Sequence, residues 1–120
     1  MSDLQKKKFI QKEIDQLQSS ANRIALLFII RDAEQEGGIH GYGISDALAT
    51  KTYGELDGSN ATYYAILRQM RIDGLVEQFE IAGDVRKYYR LTSDGQEACE
   101  TLWNYWHHYY ELIKNIKEKK

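Results

Sequence analysis

The spacing of apolar residues predicts that most of the chain is helical. Residues 3–18 form a polar amphipathic segment, whose apolar positions recur mostly at helical spacing: Leu4, Phe9, Ile10, Ile14 and Leu17. The serines and the asparagine of residues 19–22 favour a cap or a soft break after this segment. A strongly apolar helix is expected next, over residues 24–35, and the glycines at 37–38 predict a left-handed C-cap.

The middle of the chain adds two further helices and a β-hairpin. A short helix is expected near residues 43–52, and a longer one begins at a good N-cap residue, Ser59, and stops at Gly74. The apolar positions of the longer helix lie on one face: Tyr63, Ile66, Leu67 and Met70. Residues 75–81 and 86–91 are typical of strands joined by the tight turn AGDV.

The last helix completes the order helix, helix, helix, hairpin, helix. Thr92 or Ser93 is expected to cap it, Ser93 and Gln96 match a capping box, and it should run to about Lys117. Three compact helices followed by a hairpin are the winged helix-turn-helix arrangement, so the expected fold class is mainly α with a small β-hairpin. In it the third compact helix would read DNA and AGDV would be the wing. Three parts are expected: an N-terminal amphipathic arm or helix (1–18), a winged helix-turn-helix domain (20–91) and a C-terminal dimerisation helix (92–117).

Composition and charge narrow the class of protein without identifying a partner. The chain has 120 residues, enough for one domain, and its single cysteine rules out an intrachain disulfide framework. The N-terminus has no apolar signal region, and the longest apolar run, residues 24–30, is too short to span a bilayer, so a cytoplasmic protein with no membrane partner is expected. The formal net charge of −2 gives no overall attraction to nucleic acid. A case for DNA must therefore rest on local charge.

Local charge collects on the third compact helix and the hairpin. Outside its apolar face, the helix carries residue types that suit base edges and phosphates: Ser59, Asn60, Thr62, Tyr64, Arg68 and Arg71. Along the second strand, alternation places Arg86, Tyr88 and Arg90 on one side, and Lys87 is their neighbour in the chain. Between residues 68 and 90 five basic side chains oppose four acidic ones, a net charge of +1 (5 − 4). A basic patch therefore requires the two signs to lie on opposite faces.

The last helix carries a heptad seam of six residues: Cys99, Leu102, Trp106, Tyr109, Ile113 and Ile116. With further aromatic residues around this seam, the helix is too apolar to stand alone in water. It could pack only on the first helices of its own domain, but the number of its aromatic residues favours a homodimer. Trp106 would face its counterpart across the two-fold axis, near Trp103 and Tyr109, and could sandwich a flat aromatic or cationic ligand. A tryptophan that only fills a dimer core fits the pattern equally well.

Catalysis and metal binding have little support in the sequence. His107 and His108 are adjacent, about 100° apart on a helix, and no H-E-x-x-H or C-x-x-C pattern occurs, so no metal site and no cofactor are expected. Cys99 fits a small apolar packing residue better than a nucleophile, and no nucleophile-and-base pair stands out. We therefore do not expect an enzyme.

Three segments resemble the PadR family of bacterial transcriptional regulators: GYGISDAL (41–48), NATYYAILRQMRIDGLVEQF (60–79) and RKYYRLTSDGQ (86–96). The resemblance implies a winged-helix repressor that dimerises through its C-terminal helix and binds a palindromic operator in double-stranded DNA. By this resemblance the signature tyrosine of the reading helix and the residues of the wing strand contact DNA: Tyr64, Arg86, Lys87 and Tyr88. It also implies that Trp106 falls where multidrug-sensing members of the family stack a flat drug at the dimer interface.

The chain departs from the family pattern at several positions, and two other functions remain open. Ala65 stands where many members have proline, and Asp84 lies in the wing where basic residues are common. The acidic wing and net charge would suit a winged-helix protein-interaction module that does not bind DNA. Tyr105, Tyr109 and Tyr110 crowd the seam and would suit a constitutive DNA-binding protein whose filled dimer core accepts no effector.

Overall fold

Helix α1 (Asp3–Asp32) is one continuous helix of 30 residues in the computed structural model, which describes residues 1–56 and 60–119. Ser2 and Gln5 form a capping box at its start, with hydrogen bonds of 2.9 and 3.1 Å between each side chain and the other's backbone N–H. The predicted break at residues 19–22 is wrong. Serine and asparagine each cost only about 0.5 kcal/mol relative to alanine inside a helix, and neither glycine nor proline interrupts α1.

The elements after α1 largely match the predicted helices. A short 3-10 turn, Ala33–Glu36, ends at Gly37, whose φ of 89° confirms the left-handed glycine cap. A two-residue strand, β1 (Ile39–His40), leads directly into α2 (Gly41–Lys51), and α3 is Asn60–Ile72. Helix α2 therefore begins two residues earlier than expected. The region around Ser59, the predicted N-cap of α3, lies outside the described residues.

The hairpin is confirmed, and it belongs to a three-stranded sheet. Strands β2 (Val76–Glu80) and β3 (Lys87–Leu91) pair antiparallel, and the turn between them has Gly83 at a φ of 84°. Strand β1 pairs with the other edge of β3, giving the order β1-β3-β2. The sequence did not reveal β1, because two residues are too few for a period-two pattern.

Helix α4 (Ser93–Lys117) is anchored where it leaves β3. Thr92, one of the two expected caps, accepts a hydrogen bond from the Gly95 N–H at 3.0 Å and donates to the Gly74 carbonyl at 2.6 Å. Gln96 does not close the predicted capping box with Ser93, since its side-chain amide donates to Glu34 at 2.8 Å. These bonds tie the start of α4 to the turn after α3 and to the 3-10 turn after α1.

The core joins all four helices and the sheet. Its buried side chains are Leu26, Leu27, Ile29, Ile30, Ile44, Leu48, Tyr63, Leu67, Met70, Val76, Tyr89, Leu91 and Cys99. Cys99 is only 1% exposed within its own subunit, so its assignment to the dimer seam is wrong. The first turns of α4 pack on the domain, and the seam becomes accessible only at Leu102.

Burial of Cys99 predicts an unreactive thiol in the native protein. Burial raises the pKa of the Cys99 thiol, so both access and thiolate formation are suppressed. We expect no reaction with an aromatic disulfide reagent at neutral pH until denaturant is added, when one thiol per chain should be titrated. Rapid stoichiometric labelling without denaturant would contradict this placement.

Candidate nucleic-acid interface

Helix α3 presents a polar face next to the sheet. Tyr63, Leu67 and Met70 are buried against the core, whereas Tyr64, Arg68 and Arg71 are exposed at positions i, i+4 and i+7. These three therefore share one face of the helix, as the sequence predicted. Neither arginine forms an ion pair with a residue that the structure describes, so both charges are available to a ligand.

The structure separates one other predicted member of the DNA-binding set, Thr62, from this face. Ser59 lies outside the described residues, and Asn60 is the first residue of α3. Thr62 is exposed on the other side of the helix, where it lines a cleft with Asn22 and Arg23 of α1. Thr62 is thus separated from Tyr64, and the structure does not support grouping the two.

A cleft connects the α3 face to the wing strand. It has a volume of about 280 Å³ and is lined by residues of β1, α2, α3, β3 and the turn before β3: His40, Gly41, Tyr42, Tyr64, Arg86, Lys87 and Tyr89. The Tyr64 ring lies so close to Gly41 that a Cβ there would be 2.9 Å from the tyrosine hydroxyl. The glycine at the start of α2 thereby lets Tyr64 pack beside β3. The exposed Lys87 forms no ion pair with a described residue.

The turn of the hairpin carries an ion-pair network, which we call the wing-tip network, made of Asp84, Arg86 and Tyr88. Arg86 Nη2 lies 2.8 Å from Asp84 Oδ2, and the Tyr88 hydroxyl donates to the same oxygen at 2.6 Å. The hydrogen bonds from Arg86 and Tyr88 hold the pKa of the Asp84 carboxyl well below its usual range. The carboxylate in turn raises the pKa of the Tyr88 hydroxyl and of the Arg86 guanidinium. Asp84 and Arg86 therefore stay oppositely charged at neutral pH.

Histidine 40 is a part of the site that the sequence did not reveal. His40 is the N-cap of α2, and its Nδ1 accepts a hydrogen bond from the Gly43 N–H at 3.1 Å. Its Nε2 lies 3.1 Å from Arg86 Nη1, and its ring meets Tyr88 edge to face. Histidine is not among the preferred N-cap residues, and Arg86 is 46 residues away in the chain, so no local signal indicated either contact.

The remaining arginine of the hairpin does not line this cleft. Arg90 forms an ion pair with Glu77 on the neighbouring strand, and its guanidinium lies 4.5 Å from the centre of the Phe79 ring. Of the five basic side chains between residues 68 and 90, two are therefore neutralised within the chain, Arg86 and Arg90. The unpaired charges at the interface are those of Arg68, Arg71 and Lys87.

The second candidate surface is the outer half of α4 beside the first half of α1. Its predicted seam residues are at least 40% exposed: Leu102, Trp106, Tyr109, Ile113 and Ile116. Trp103 packs edge to face on Phe28 and stacks on Trp106, with ring centres 6.5 Å apart. An open groove of about 410 Å³ separates α1 from α4, with Leu17 on one side and Trp106 and Ile113 on the other. This surface is apolar, and no described part of the chain covers it.

The described residues, 1–56 and 60–119, offer neither a group of metal ligands nor a membrane-spanning helix. Among them, no three histidine, cysteine, aspartate or glutamate side chains are grouped as metal ligands would be. No helix in these ranges is both long enough and apolar enough to span a bilayer.

Comparison with known proteins agrees with the geometry. The model of the transcriptional regulator PadR-like family matches residues 27–101. A Lysinibacillus sphaericus protein called "Uncharacterized protein X" is 32% identical over an alignment of 84 positions, which covers 66% of this chain and 75% of that protein. The crystal structure of a PadR-like transcriptional regulator from Bacillus cereus is 25% identical, with a TM-score of 0.66 over 82% of this chain and 92% of that one. A PadR family regulator from Eggerthella lenta shares the fold, with 19% identity and a TM-score of 0.75 over 98% and 99% of the two chains. The chain therefore belongs to the PadR-like family of transcriptional regulators.

Proposed function

We propose that the protein is a homodimeric transcriptional repressor that binds a palindromic operator in double-stranded DNA. The observation that carries the proposal is the exposed face of α3, on which Tyr64, Arg68 and Arg71 lie together beside Lys87 of the wing strand. Arginine suits guanine edges and phosphates, and lysine and tyrosine suit phosphate oxygens. Such a regulator acts in the compartment that holds the DNA, the cytoplasm, and its role requires no catalysis.

The docking geometry follows from the fold. Helix α3 of each subunit would enter the major groove of a half-site, while the wing reaches the flanking backbone. Two-fold symmetry would place the two half-site centres about one helical turn apart, roughly 34 Å.

A second copy of the chain is the proposed cover for the apolar surface of α1 and α4. The first 20 residues are all exposed and include five large apolar side chains of α1 that face no core: Leu4, Phe9, Ile10, Ile14 and Leu17. The seam of α4 is exposed beside them, and a single small domain cannot cover so much aromatic surface. An isologous dimer would bury this surface twice and set the spacing of the two α3 helices.

A flat aromatic or cationic ligand is the proposed releasing signal. Trp106 lines the groove between α1 and α4 together with Tyr109 and Tyr110. Stacked indole and phenol rings favour planar and cationic guests. A ligand bound there would change operator affinity only if it favoured a dimer with a different separation of the α3 helices.

The salt dependence of binding to duplex DNA tests the proposal. When the logarithm of the binding constant for random-sequence duplex DNA is plotted against the logarithm of the salt concentration, wild-type protein should give a steep slope. Each neutralised phosphate releases counterions, and added salt opposes that release. Arg68→Ala and Arg71→Ala should each make the slope shallower by about 0.9 for every subunit that loses a phosphate contact. Arg23→Ala is the matched control, since Arg23 is an exposed arginine on α1 that lines the cleft with Thr62.

Two outcomes would contradict DNA binding through α3. If the DNA affinity of the wild type did not depend on salt concentration, a protein-interaction module would be the better interpretation of the acidic wing. An equal decrease of the salt slope in the α3 variants and in Arg23→Ala would indicate general charge attraction without a defined interface.

A further inference from the structure

The forked edge of the Arg86 guanidinium is occupied by a carboxylate of its own chain. Arg86 Nε lies 3.0 and 3.2 Å from the two oxygens of Asp84, and Nη2 donates to Oδ2 at 2.8 Å. Nη2 also donates to the Tyr88 hydroxyl at 2.9 Å. This edge is the one that an arginine offers to a phosphate in a bidentate contact. DNA would therefore have to displace Asp84 or use what remains of the guanidinium.

The turn places this carboxylate beneath the guanidinium. Asp84 Oδ1 accepts the backbone N–H of Arg86 at 2.9 Å, and the left-handed Gly83 allows the turn that brings them together. The Asp84 side chain is 21% exposed, whereas that of Arg86 is 55% exposed. The Arg86 side chain is thus exposed to solvent and already paired with the Asp84 carboxylate.

His40 does not hold Arg86 in the same way. A neutral imidazole has one acceptor nitrogen, and here Nδ1 accepts the Gly43 N–H. Nε2 then bears the proton and cannot accept from Arg86 Nη1, although the two atoms lie 3.1 Å apart. Asp84 is consequently the anion that another anion must displace in order to bind Arg86.

We propose that Asp84 attenuates DNA binding by the wing, because it competes with the DNA backbone for the guanidinium of Arg86. The inference rests on the proposed DNA-binding function and specifies how its affinity is set. A neutral Asp84–Arg86 pair releases no counterions, and a phosphate that approaches the arginine meets a nearby like charge. The wing of this chain therefore binds DNA more weakly than its basic residues alone would allow.

Mild acid does not relieve this competition. Arg86 and Tyr88 hold the pKa of Asp84 well below its usual range, so the carboxylate stays ionised until the pH falls through that lowered pKa. His40, which contacts Arg86 and Tyr88 of the network, contributes no carboxylate. The Asp84→Asn effect on binding should therefore be present across the whole neutral range.

The test compares Asp84→Asn with wild type on the same random-sequence duplex. Asparagine keeps an oxygen that can accept the Arg86 backbone N–H but removes the charge. Asp84→Asn should bind more tightly, with a slope steeper by about 0.9 for each wing that gains a phosphate contact, or roughly 1.8 for a dimer. Its advantage over wild type should then shrink roughly tenfold between about 50 and about 200 mM salt.

Two further variants separate release of Arg86 from simple loss of negative charge. Glu80→Gln removes the same charge from the same hairpin, and Glu80 forms no ion pair with a described residue, so its effect should be small. In an Arg86→Ala background, Asp84→Asn should have no effect on the slope. The inference would be overturned if Glu80→Gln steepened the salt slope as much as Asp84→Asn does, or if Asp84→Asn still steepened it in the Arg86→Ala background. Weaker or unchanged DNA binding by Asp84→Asn would overturn it as well.

The outcomes also distinguish this inference from the function on which it rests. If neither wild type nor Asp84→Asn binds duplex with a salt dependence, the proposed function fails and the inference fails with it. If wild type binds DNA and Arg68→Ala has a shallower salt slope, but Asp84→Asn binds no more tightly than wild type, only the inference fails.

Discussion

Replacing Gly95 by alanine is expected to lower the free energy of unfolding by about 3 kcal/mol. A Cβ at this position would lie 2.0 Å from the Leu75 carbonyl oxygen and 3.3 Å from the Leu91 Cβ. Leu75 O is held in place because it accepts the Thr92 N–H at 3.0 Å. Alanine is favoured over glycine inside a helix by about 1 kcal/mol, but a clash with fixed backbone outweighs that gain. The start of α4 would have to move off the sheet.

Urea unfolding followed by circular dichroism measures this effect at one protein concentration, since the proposed dimerisation would couple stability to concentration. Gly83→Ala is an informative control, because a Cβ there meets nothing within 4 Å and only its φ of 84° is unfavourable. That variant should lose about 1 to 2 kcal/mol. A loss in Gly95→Ala no greater than in Gly83→Ala would contradict the close approach of α4 to Leu75.

Replacing Trp106 by alanine is expected to raise the dimer dissociation constant at least about a hundredfold. Trp106 is 50% exposed in the single chain and lies at the centre of the uncovered seam, so the substitution would remove two central aromatic anchors from the proposed two-fold interface. The fold of each subunit should survive, because the tryptophan lies outside the core. Operator binding should weaken as the dimer dissociates.

Sedimentation velocity over a range of concentrations measures the dissociation constant. His108→Ala is the matched control, since His108 is also an exposed ring on α4 and lies about 200° around the helix from Trp106. An unchanged dimer in Trp106→Ala, or equal dissociation in both variants, would show that the subunits associate through another surface.

Hydrophobic periodicity was sufficient to predict the helices and the hairpin. The apolar positions of α3 recur with the helical period, and Tyr89 and Leu91 alternate on one side of β3, so burial in the structure follows the pattern directly. Local chemistry also located the glycine cap at Gly37 and the cap at Thr92. These features depend on neighbours within a few residues, which the sequence displays.

The errors arise where weak local preferences are overruled. Serines and an asparagine in mid-helix predicted a break that α1 does not have, because their small cost is spread over 30 residues without a strong helix breaker. The heptad spacing of α4 assigned Cys99 to the seam, but periodicity does not tell whether an apolar face packs on its own domain or on a partner. Burial of Cys99 in the domain core resolved that choice.

By itself, the sequence determined the winged-helix order of elements and the family, because each depends on residue spacing along the chain. Only the tertiary structure decided which charges remain available at the interface. Asp84 neutralises Arg86 across a turn, Glu77 neutralises Arg90 across two strands, and His40 reaches the wing from the start of α2. Hydrogen bonds and ion pairs form over distances of about 3 Å, and such distances between residues far apart in the chain exist only after the backbone has folded.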